Sequence, residues 1–466
     1  MFRSMDYQPI RYSRRQAIMA GTSGLAGISL LALLRAEANA GIRSSVKSII
    51  NVHLDGGPPQ HDTIDPKPDA PVEIRGEFRP IATKIPGFQI CELMPKVASI
   101  ADRICFIRSL VGSAGAHDAF QCQSGFAESD LKMIGGRPAF GSIISKLLGG
   151  ESDSAPTFID LMQGRPLVRN SARPGFLGQA YAPFRPDLSK LFSRELEPGM
   201  KNELAARGPN HTLALTLTEG LSLTRMDDRL KLLSQFDTFR RDLDSHGAME
   251  AMDKFSQQAV TLLASGRLAN ALDLAQEPPS IQHLYTPVDT SAGVRSYTSE
   301  DGHAAKKLLL ARRLIEAGVR CVSVSFSDFD THSKNFPRMR NLMPIVDHAL
   351  HALHVDLESR GMLGDVAVVV WGEFGRTPRI NAEGGRDHWP EAAPAMLFGG
   401  GIQGGRVIGA TDRMGAKVVQ RPVTHQEVFA TLYHCLGIDL AHTAILDPTG
   451  RPQHLLEKTD KLSEAL

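Results

Sequence analysis

The segment that most constrains the fold is a short, uninterrupted apolar run that leads directly into charged residues. Val366–Trp371 reads VAVVVW, and such a run without polar alternation predicts a strand buried on both faces of a parallel sheet. The sixteen residues from 373 to 388 then include Glu373, Arg376, Arg386, Asp387 and His388. Ligands of open α/β sheets bind beyond the carboxyl ends of the strands. This segment therefore predicts a site for a metal and an anion.

Two other predicted strands, 46–54 and 319–326, also end in potential metal ligands. The loops after them contain Asp55, Asp62, Asp330 and His332, with Asp65 and Asp328 nearby. A carboxylate oxygen combined with an imidazole nitrogen suits zinc or a similar divalent ion. Asp62 and Asp65 have an alternative role as turn residues, because aspartate readily caps turns.

A fourth predicted strand, 104–110, leads into small residues around Ser113 and His117. A helix that begins after such a loop presents free backbone N–H groups, which bind anions. Ser113 or His117 is therefore a candidate nucleophile or phosphate ligand. The alternative is that Ser113 is a helix N-cap and His117 a residue of the first turn.

The first forty residues are typical of a twin-arginine export signal. Arg14 and Arg15 precede a mildly apolar stretch, 17–34, and an Ala-x-Ala motif at 38–40. Eighteen residues interrupted by Gly, Ser and Thr are marginal for a stable membrane span. We expect cleavage before Gly41 and a periplasmic or secreted protein with no stable membrane span.

Charge and cysteine content exclude several classes of function. The 466 residues carry a formal charge of +1 and no long Lys/Arg run, which argues against nucleic-acid binding. The five cysteines have no Cys-x-x-Cys spacing, so neither a zinc knot nor a disulfide framework is expected. No glycine-rich nucleotide-binding motif follows a predicted strand.

The alternation of predicted strands and helices indicates a doubly wound α/β fold, with a mostly parallel sheet and helices on both faces. Helices are predicted at 301–317, 339–360 and 424–436, the last with Thr424 as N-cap. His348, His351 and His354 drift around the second of these helices and are interpreted as structural. One domain, 41–466, is expected to contain a mainly helical insertion at about 162–300, with helices at 221–243 and 250–274.

Four motifs, GGPPQHDTIDPKP, DTH, WGEFGRTPRIN and GRDHWP, follow in this order behind the export signal. The chain thereby resembles, over about 49–439, a bacterial family of exported proteins. That family is catalogued as a domain of unknown function within the alkaline phosphatase and sulfatase superfamily. The resemblance implies an alkaline phosphatase-like sheet with metal and anion at its carboxyl edge.

The resemblance also implies roles for individual residues. Asp55 corresponds to a metal-binding acid, and Ser113 or His117 to the nucleophile position. Asp330 (or Asp328) and His332 correspond to ligands of one metal. Glu373 and His388 correspond to ligands of the second metal. Arg376 and Arg386 are implied to neutralise a bound phosphate or sulfate through bidentate contacts.

Two departures from the superfamily pattern limit that implication. Phe374 stands where a histidine of the second metal site is expected, which argues against a complete two-zinc site. The Cys-x-Pro-x-Arg motif of sulfatases does not occur in the sequence. Glu373 and Asp387 would also support a single metal, or a harder ion such as calcium or magnesium.

The sequence therefore favours an exported, metal-dependent hydrolase of phosphate or sulfate esters, acting on a small-molecule or glycan ester. Zinc is the favoured cofactor, with Ser113, His117 or a water molecule activated by the metal as attacking group. The alternative is a non-catalytic binding protein whose degenerate site holds an anionic glycan or a partner. The oligomeric state is left open.

Overall fold

The computed structural model describes residues 47–117, 120–127, 136–150, 153, 155–162, 172–186, 188, 267–286, 300 and 302–466. The predicted export signal and the predicted helix 221–243 lie outside these residues. So does the predicted helix 250–274, except for its last residues. No helix among the described residues is both long and apolar enough to cross a membrane.

Sixteen strands form among the described residues, eight of them in one central sheet. They are β1 (Ser48–Leu54), β2 (Pro80–Ala82), β3 (Gln89–Cys91), β4 (Cys105–Val111), β5 (Phe158–Asp160), β6 (Cys321–Phe326), β7 (Val366–Trp371), β8 (Gly375–Arg376), β9 (His388–Trp389), β10 (Ala393–Gly399), β11 (Arg406–Ile408), β12 (Ala410–Thr411), β13 (Val418–Gln420), β14 (Val423–Thr424), β15 (Ala444–Leu446) and β16 (Pro452–His454).

The central sheet has the strand order β11-β4-β10-β7-β1-β6-β5, and β14 also pairs with β4. β1 is parallel to both of its neighbours, β6 and β7. Only β10 among these strands is reversed, because it runs antiparallel to both β4 and β7. The carboxyl ends of β1, β4, β6 and β7 consequently meet at one edge of the sheet.

Helices cover both faces of the sheet, as the alternation of strands and helices predicts. The helices are α1 (Val72–Arg75), α2 (Pro95–Ser99), α3 (Gln121–Ser124), α4 (Phe140–Leu148), α5 (Arg267–Leu272), α6 (Pro279–Leu284), α7 (Lys306–Glu316), α8 (Asn335–Ser359) and α9 (His425–Cys435). Ile50, Val52 and Leu54 of β1 pack in the same core as α7 and α8. Ile49 packs on the other face, in the core that contains α4 and α9.

Most predicted elements are confirmed, and the differences lie at their ends. The strand predicted at 366–371 is β7 with the same bounds, and every residue of it is buried. The helix predicted at 339–360 begins four residues earlier, at Asn335 after Lys334 in a left-handed conformation, so its first turn was missed. Thr424 caps α9 in a capping box with Glu427, as predicted.

Candidate metal centre

The loops that follow four parallel strands bring most of the predicted site residues together. Asp55 follows β1, His117 follows β4, Asp330 and His332 follow β6, and Glu373 follows β7. The ligand atoms of His117, Asp330 and His388 lie within 4.8 Å of one another. Those of His53, Asp55 and Glu373 do the same. The site thus has two clusters of potential metal ligands.

Two glycines allow these loops to approach one another backbone to backbone. Gly56 follows β1 with φ +100°, and a Cβ there would lie 2.3 Å from the backbone nitrogen of Asp330. A Cβ at Gly385 would lie 2.0 Å from the carbonyl oxygen of His332. No side chain fits at either position, so glycine is required for the ligand-bearing loops to pack this closely.

His332 lies beside the first of these clusters, and we define the outer cluster as Asp330, His332 and His388, because His117 contacts carboxylates of both clusters. The Nε2 atoms of His332 and His388 lie 3.0 Å apart, and they lie 3.1 Å and 3.4 Å from Oδ1 of Asp330. Nδ1 of His388 lies 2.9 Å from the Gly115 carbonyl oxygen, and Nδ1 of His332 lies 2.7 Å from Oδ1 of Asp387. Each Nδ1 therefore donates a hydrogen bond, which leaves a lone pair on each Nε2 in the neutral rings.

This arrangement fits a tetrahedral divalent ion. Zinc–nitrogen bonds of about 2.0–2.1 Å give ligand-to-ligand distances of about 3.3–3.4 Å in a tetrahedron. The three observed distances, 3.0, 3.1 and 3.4 Å, are close to that spacing. Two facing imidazole lone pairs repel each other without a cation between them. Asp387 and the Gly115 carbonyl fix the orientation of the two rings, as carboxylates and backbone carbonyls do for histidines in known metal sites.

The inner cluster is buried and its polar atoms are incompletely paired. His53 is 0% exposed, and neither of its ring nitrogens has a hydrogen-bond partner among the described residues. Its Nε2 lies 3.3 Å from Oε2 of Glu373 and 3.9 Å from Oδ1 of Asp55. Burial lowers the pKa of His53, although the Glu373 charge opposes this effect. A neutral imidazole beside two buried carboxylates is a ligand set for a divalent cation.

His117 lies between the two clusters. Its Nδ1 is 3.0 Å from Oε1 of Glu373, and its Nε2 is 3.2 Å from Oδ2 of Asp330. Burial acts to lower the pKa of His117, but the two carboxylates outweigh it and raise the pKa to about 9. The imidazolium therefore holds the carboxylates of the two clusters together. Phe374 packs beside it, with its ring centroid 5.4 Å from that of His117 and 4.2 Å from that of His388.

Asp62 and Arg386 form a buried ion pair with each other. Nε of Arg386 donates to Oδ2 of Asp62 over 2.9 Å, and both side chains are 0% exposed. The Asn335 side chain donates to the same carboxylate oxygen. The sequence interpretation assigned the Asp62 carboxylate to a metal and the Arg386 guanidinium to an anion, but these two groups are paired with each other. We therefore leave both residues out of the ligand set.

Arg376 is also buried, and it is directed at the backbone and at Asp330. Nη2 donates to Oδ1 of Asp330 over 2.6 Å and to the Gly56 carbonyl oxygen. Nε donates to the Gly57 carbonyl oxygen, and Nη1 to that of Arg386. Arg376 thus contacts the site through Asp330, whose carboxylate it orients.

Ser113 lies in the loop after β4, two residues before Gly115, whose carbonyl oxygen contacts His388. Its hydroxyl oxygen is buried and has no hydrogen-bond partner among the described residues. The Gln121 side chain fixes the loop around it by pairing with the Gly112 carbonyl and the Ala114 N–H. The first described helix after this loop begins at Gln121, so Ser113 is not its N-cap.

Sequence reasoning missed His53. The residue was included in an apolar strand, and its side-chain direction depends on the pairing of β1 with Trp371 and Ser325 on the neighbouring strands. One signal was present: His53-x-Asp55 is the reverse of the Asp330-x-His332 spacing that was recognised at another strand end.

Comparison with known proteins gives a family and distant structural similarity. The family model described as "Protein of unknown function (DUF1501)" matches residues 46–466. No curated protein matches the chain. Among solved structures, the chain is similar to a sulfatase from Pseudoalteromonas sp., with a TM-score of 0.35 and 10% identity over 87% of this chain and 70% of that one. It is also similar to a phosphonate monoester hydrolase of Agrobacterium radiobacter, with a TM-score of 0.30 and 13% identity over 84% and 74%.

Proposed function

Since the chain belongs to the DUF1501 family, whose description assigns no activity, we propose a function from its own side chains: a hydrolase of phosphate or sulfate esters that uses two divalent cations. The observation that carries the proposal is the outer cluster. There, two imidazole lone pairs and a carboxylate oxygen lie 3.0–3.4 Å apart. Zinc is the metal that fits this nitrogen-rich set.

The charge balance of the site favours two cations over one. The carboxylates of the site are Asp55, Asp330, Glu373 and Asp387, and one guanidinium, that of Arg376, pairs with them. The formal charge is thus −4 + 1 = −3 when the histidines are neutral. One divalent ion leaves −1, which repels an anionic ester. Two leave +1, which attracts it.

Each cluster then has a distinct assignment. Asp330, His332 and His388 would hold the outer ion, and His53, Asp55 and Glu373 the inner one. Bound there, two divalent ions supply Lewis acidity and a clamp for the ester's oxygens. His117 contacts one carboxylate of each cluster and would position both carboxylates for the two ions.

We assign Ser113 as the attacking group. Its hydroxyl has no partner among the described residues. Its segment lies against the outer cluster, because the Gly115 carbonyl accepts a hydrogen bond from the ligand His388. Both nitrogens of His117 contact carboxylates, which leaves that residue no free lone pair for attack.

Export by the twin-arginine route remains part of the proposal. It rests on Arg14, Arg15 and the Ala-x-Ala motif. Replacing both arginines by lysine is expected to retain the chain in the cytoplasm, and fractionation of the producing cells measures this. Unchanged export would remove the twin-arginine assignment.

The activity is tested by loading the full-length chain with zinc, magnesium or calcium and assaying aryl phosphates and aryl sulfates. We expect turnover of one ester class with zinc, lost in Asp330→Asn and in Ser113→Ala. Ser142→Ala is the matched control for the latter, because Ser142 also has a buried hydroxyl without a partner. Metal binding without turnover would favour the binding-protein alternative. A protein that binds no metal and hydrolyses neither class of ester would contradict the proposal.

A further inference from the structure

We infer that Arg386 positions the metal ligands through its ion pair with Asp62 and makes no contact with the anionic substrate. This inference rests on the proposed metal centre. It differs from the role that the resemblance to phosphatases implied, in which the guanidinium neutralises the bound phosphate or sulfate.

The donors of Arg386 are fully used inside the protein. A guanidinium has five N–H groups. Those of Arg386 meet two oxygens of Asp62 and the carbonyl oxygens of Ile74, Thr377 and Pro378. The side chain is 0% exposed. An anion would reach it only after a buried ion pair is opened, which costs several kcal/mol.

The backbone of Arg386 connects this ion pair to the metal ligands. Its N–H donates to the Thr331 carbonyl over 2.9 Å, between Asp330 and His332. Its carbonyl accepts from Nη1 of Arg376, whose Nη2 contacts Asp330. The next two residues are Asp387, which orients His332, and the ligand His388.

Asp62 is the buried carboxylate that holds the Arg386 side chain in place. It lies in the short 3-10 helix Gln60–Asp62 that follows β1, and it is 0% exposed. Asn335, at the start of α8, donates to the same carboxylate over 2.8 Å. The ion pair therefore fastens the segment 385–388 to the loop after β1 and to α8. Because the arginine is used in this way, neutralisation of the substrate falls to the metal ions.

The test replaces Arg386 by lysine, which keeps the charge but loses the planar fork. Zinc affinity is measured by competition with a chromophoric chelator, alongside the thermal midpoint of the zinc-free protein. We expect Arg386→Lys to weaken zinc binding by about 10–100-fold, the usual effect of losing a group that orients metal ligands. In the zinc-saturated variant, inorganic phosphate should bind as it does to the unaltered protein.

Arg312→Lys is the matched control. Arg312 is also a 0% exposed arginine paired with carboxylates, Asp356 and Glu277, but it contacts none of the site residues. We expect it to lower the thermal midpoint and to leave zinc affinity unchanged. Unchanged zinc affinity in Arg386→Lys, or weaker phosphate binding at saturating zinc, would overturn the inference. An unaltered protein that binds no zinc would instead refute the metal centre itself, and this inference with it.

Discussion

His53 is a buried imidazole that lies near two carboxylates of the candidate site. It is 0% exposed and neither ring nitrogen has a hydrogen-bond partner in the described part of the chain, so its hydrogen bonds to water are lost without replacement there. Its Nε2 lies 3.3 Å from Oε2 of Glu373 and 3.9 Å from Oδ1 of Asp55. A cation among the three would satisfy all of them. In the proposed metal centre, His53 is the nitrogen ligand of the inner cluster, and Phe374 supplies none.

At the residue scale we predict that His53→Gln reduces bound zinc from two ions to one. Hydrolysis of the preferred ester should fall by about 100-fold or more, because a metal ion contributes several kcal/mol of transition-state stabilisation. Elemental analysis and steady-state kinetics measure the two effects.

His425→Gln is the control for that variant. His425 is a second buried imidazole whose ring nitrogens have no partner among the described residues, and it lies at the start of α9. The His425→Gln substitution should destabilise the protein and leave its zinc content at two ions per chain. Two zinc ions retained in His53→Gln would remove His53 from the ligand set.

At the scale of elements, a hairpin holds the outer cluster in place. The tip between β12 and β13 presents three successive carbonyls: Met414 contacts His61, Gly415 accepts from Gln60, and Ala416 accepts from Trp389. Gln60 also pairs with both backbone groups of Arg376. Trp389 directly follows the ligand His388. The tip thus connects the loop after β1 to the segment that carries His388.

We predict that Gln60→Leu lowers the free energy of unfolding by roughly 3 kcal/mol or more. The reason is that the substitution leaves the N–H and carbonyl of Arg376 and the Gly415 carbonyl buried without their partner. Denaturant unfolding measures it.

Gln403 is an exposed glutamine whose side chain donates to the Leu466 carbonyl, and it serves as the control. Gln403→Leu should change the free energy of unfolding by about 0.5 kcal/mol or less. Equal effects of the two variants would argue against the connecting role of Gln60.

Across the whole molecule, buried histidines make stability depend on pH. Burial lowers the pKa of His61 to about 3 and the pKa values of His348 and His425 to about 4. The unfolded chain takes up these protons near the ordinary value, about 6.5, so acid favours unfolding. Asp347 acts in the opposite sense, because burial raises its pKa to about 6 and the folded state binds a proton there first.

We predict that the metal-free protein loses stability as the pH falls from about 6 to about 4.5. Burial also lowers the pKa values of His53, His351 and His354, so the unfolded chain binds more protons than the folded one over this range, and each net proton changes the free energy of unfolding by about 1.4 kcal/mol per pH unit. Denaturant unfolding at several pH values in the presence of a chelator measures the slope. His425→Gln should lower this slope by the contribution of about one proton. A free energy of unfolding that is constant or rises toward pH 4.5 would contradict the prediction.

The sheet and the location of the site were predictable from the sequence because both depend on local patterns. β7 is a continuous apolar run, and Asp55, Asp330 and Glu373 directly follow predicted strands. The pairing of Asp62 with Arg386 was not predictable, because 324 residues separate the partners. Aspartates and arginines in charged loops have the same appearance in a sequence whether they bind a ligand or each other. The direction of His53 likewise depends on sheet register.

The central claim is that two adjacent clusters each hold a divalent cation, and metal stoichiometry tests it most directly. The full-length chain, purified without chelators and equilibrated with a small excess of zinc, is freed of unbound metal and analysed for zinc per chain. The account predicts two zinc ions in the unaltered protein and one in His388→Ala, where only the outer cluster is disrupted. One zinc ion or fewer per chain in the unaltered protein would contradict it.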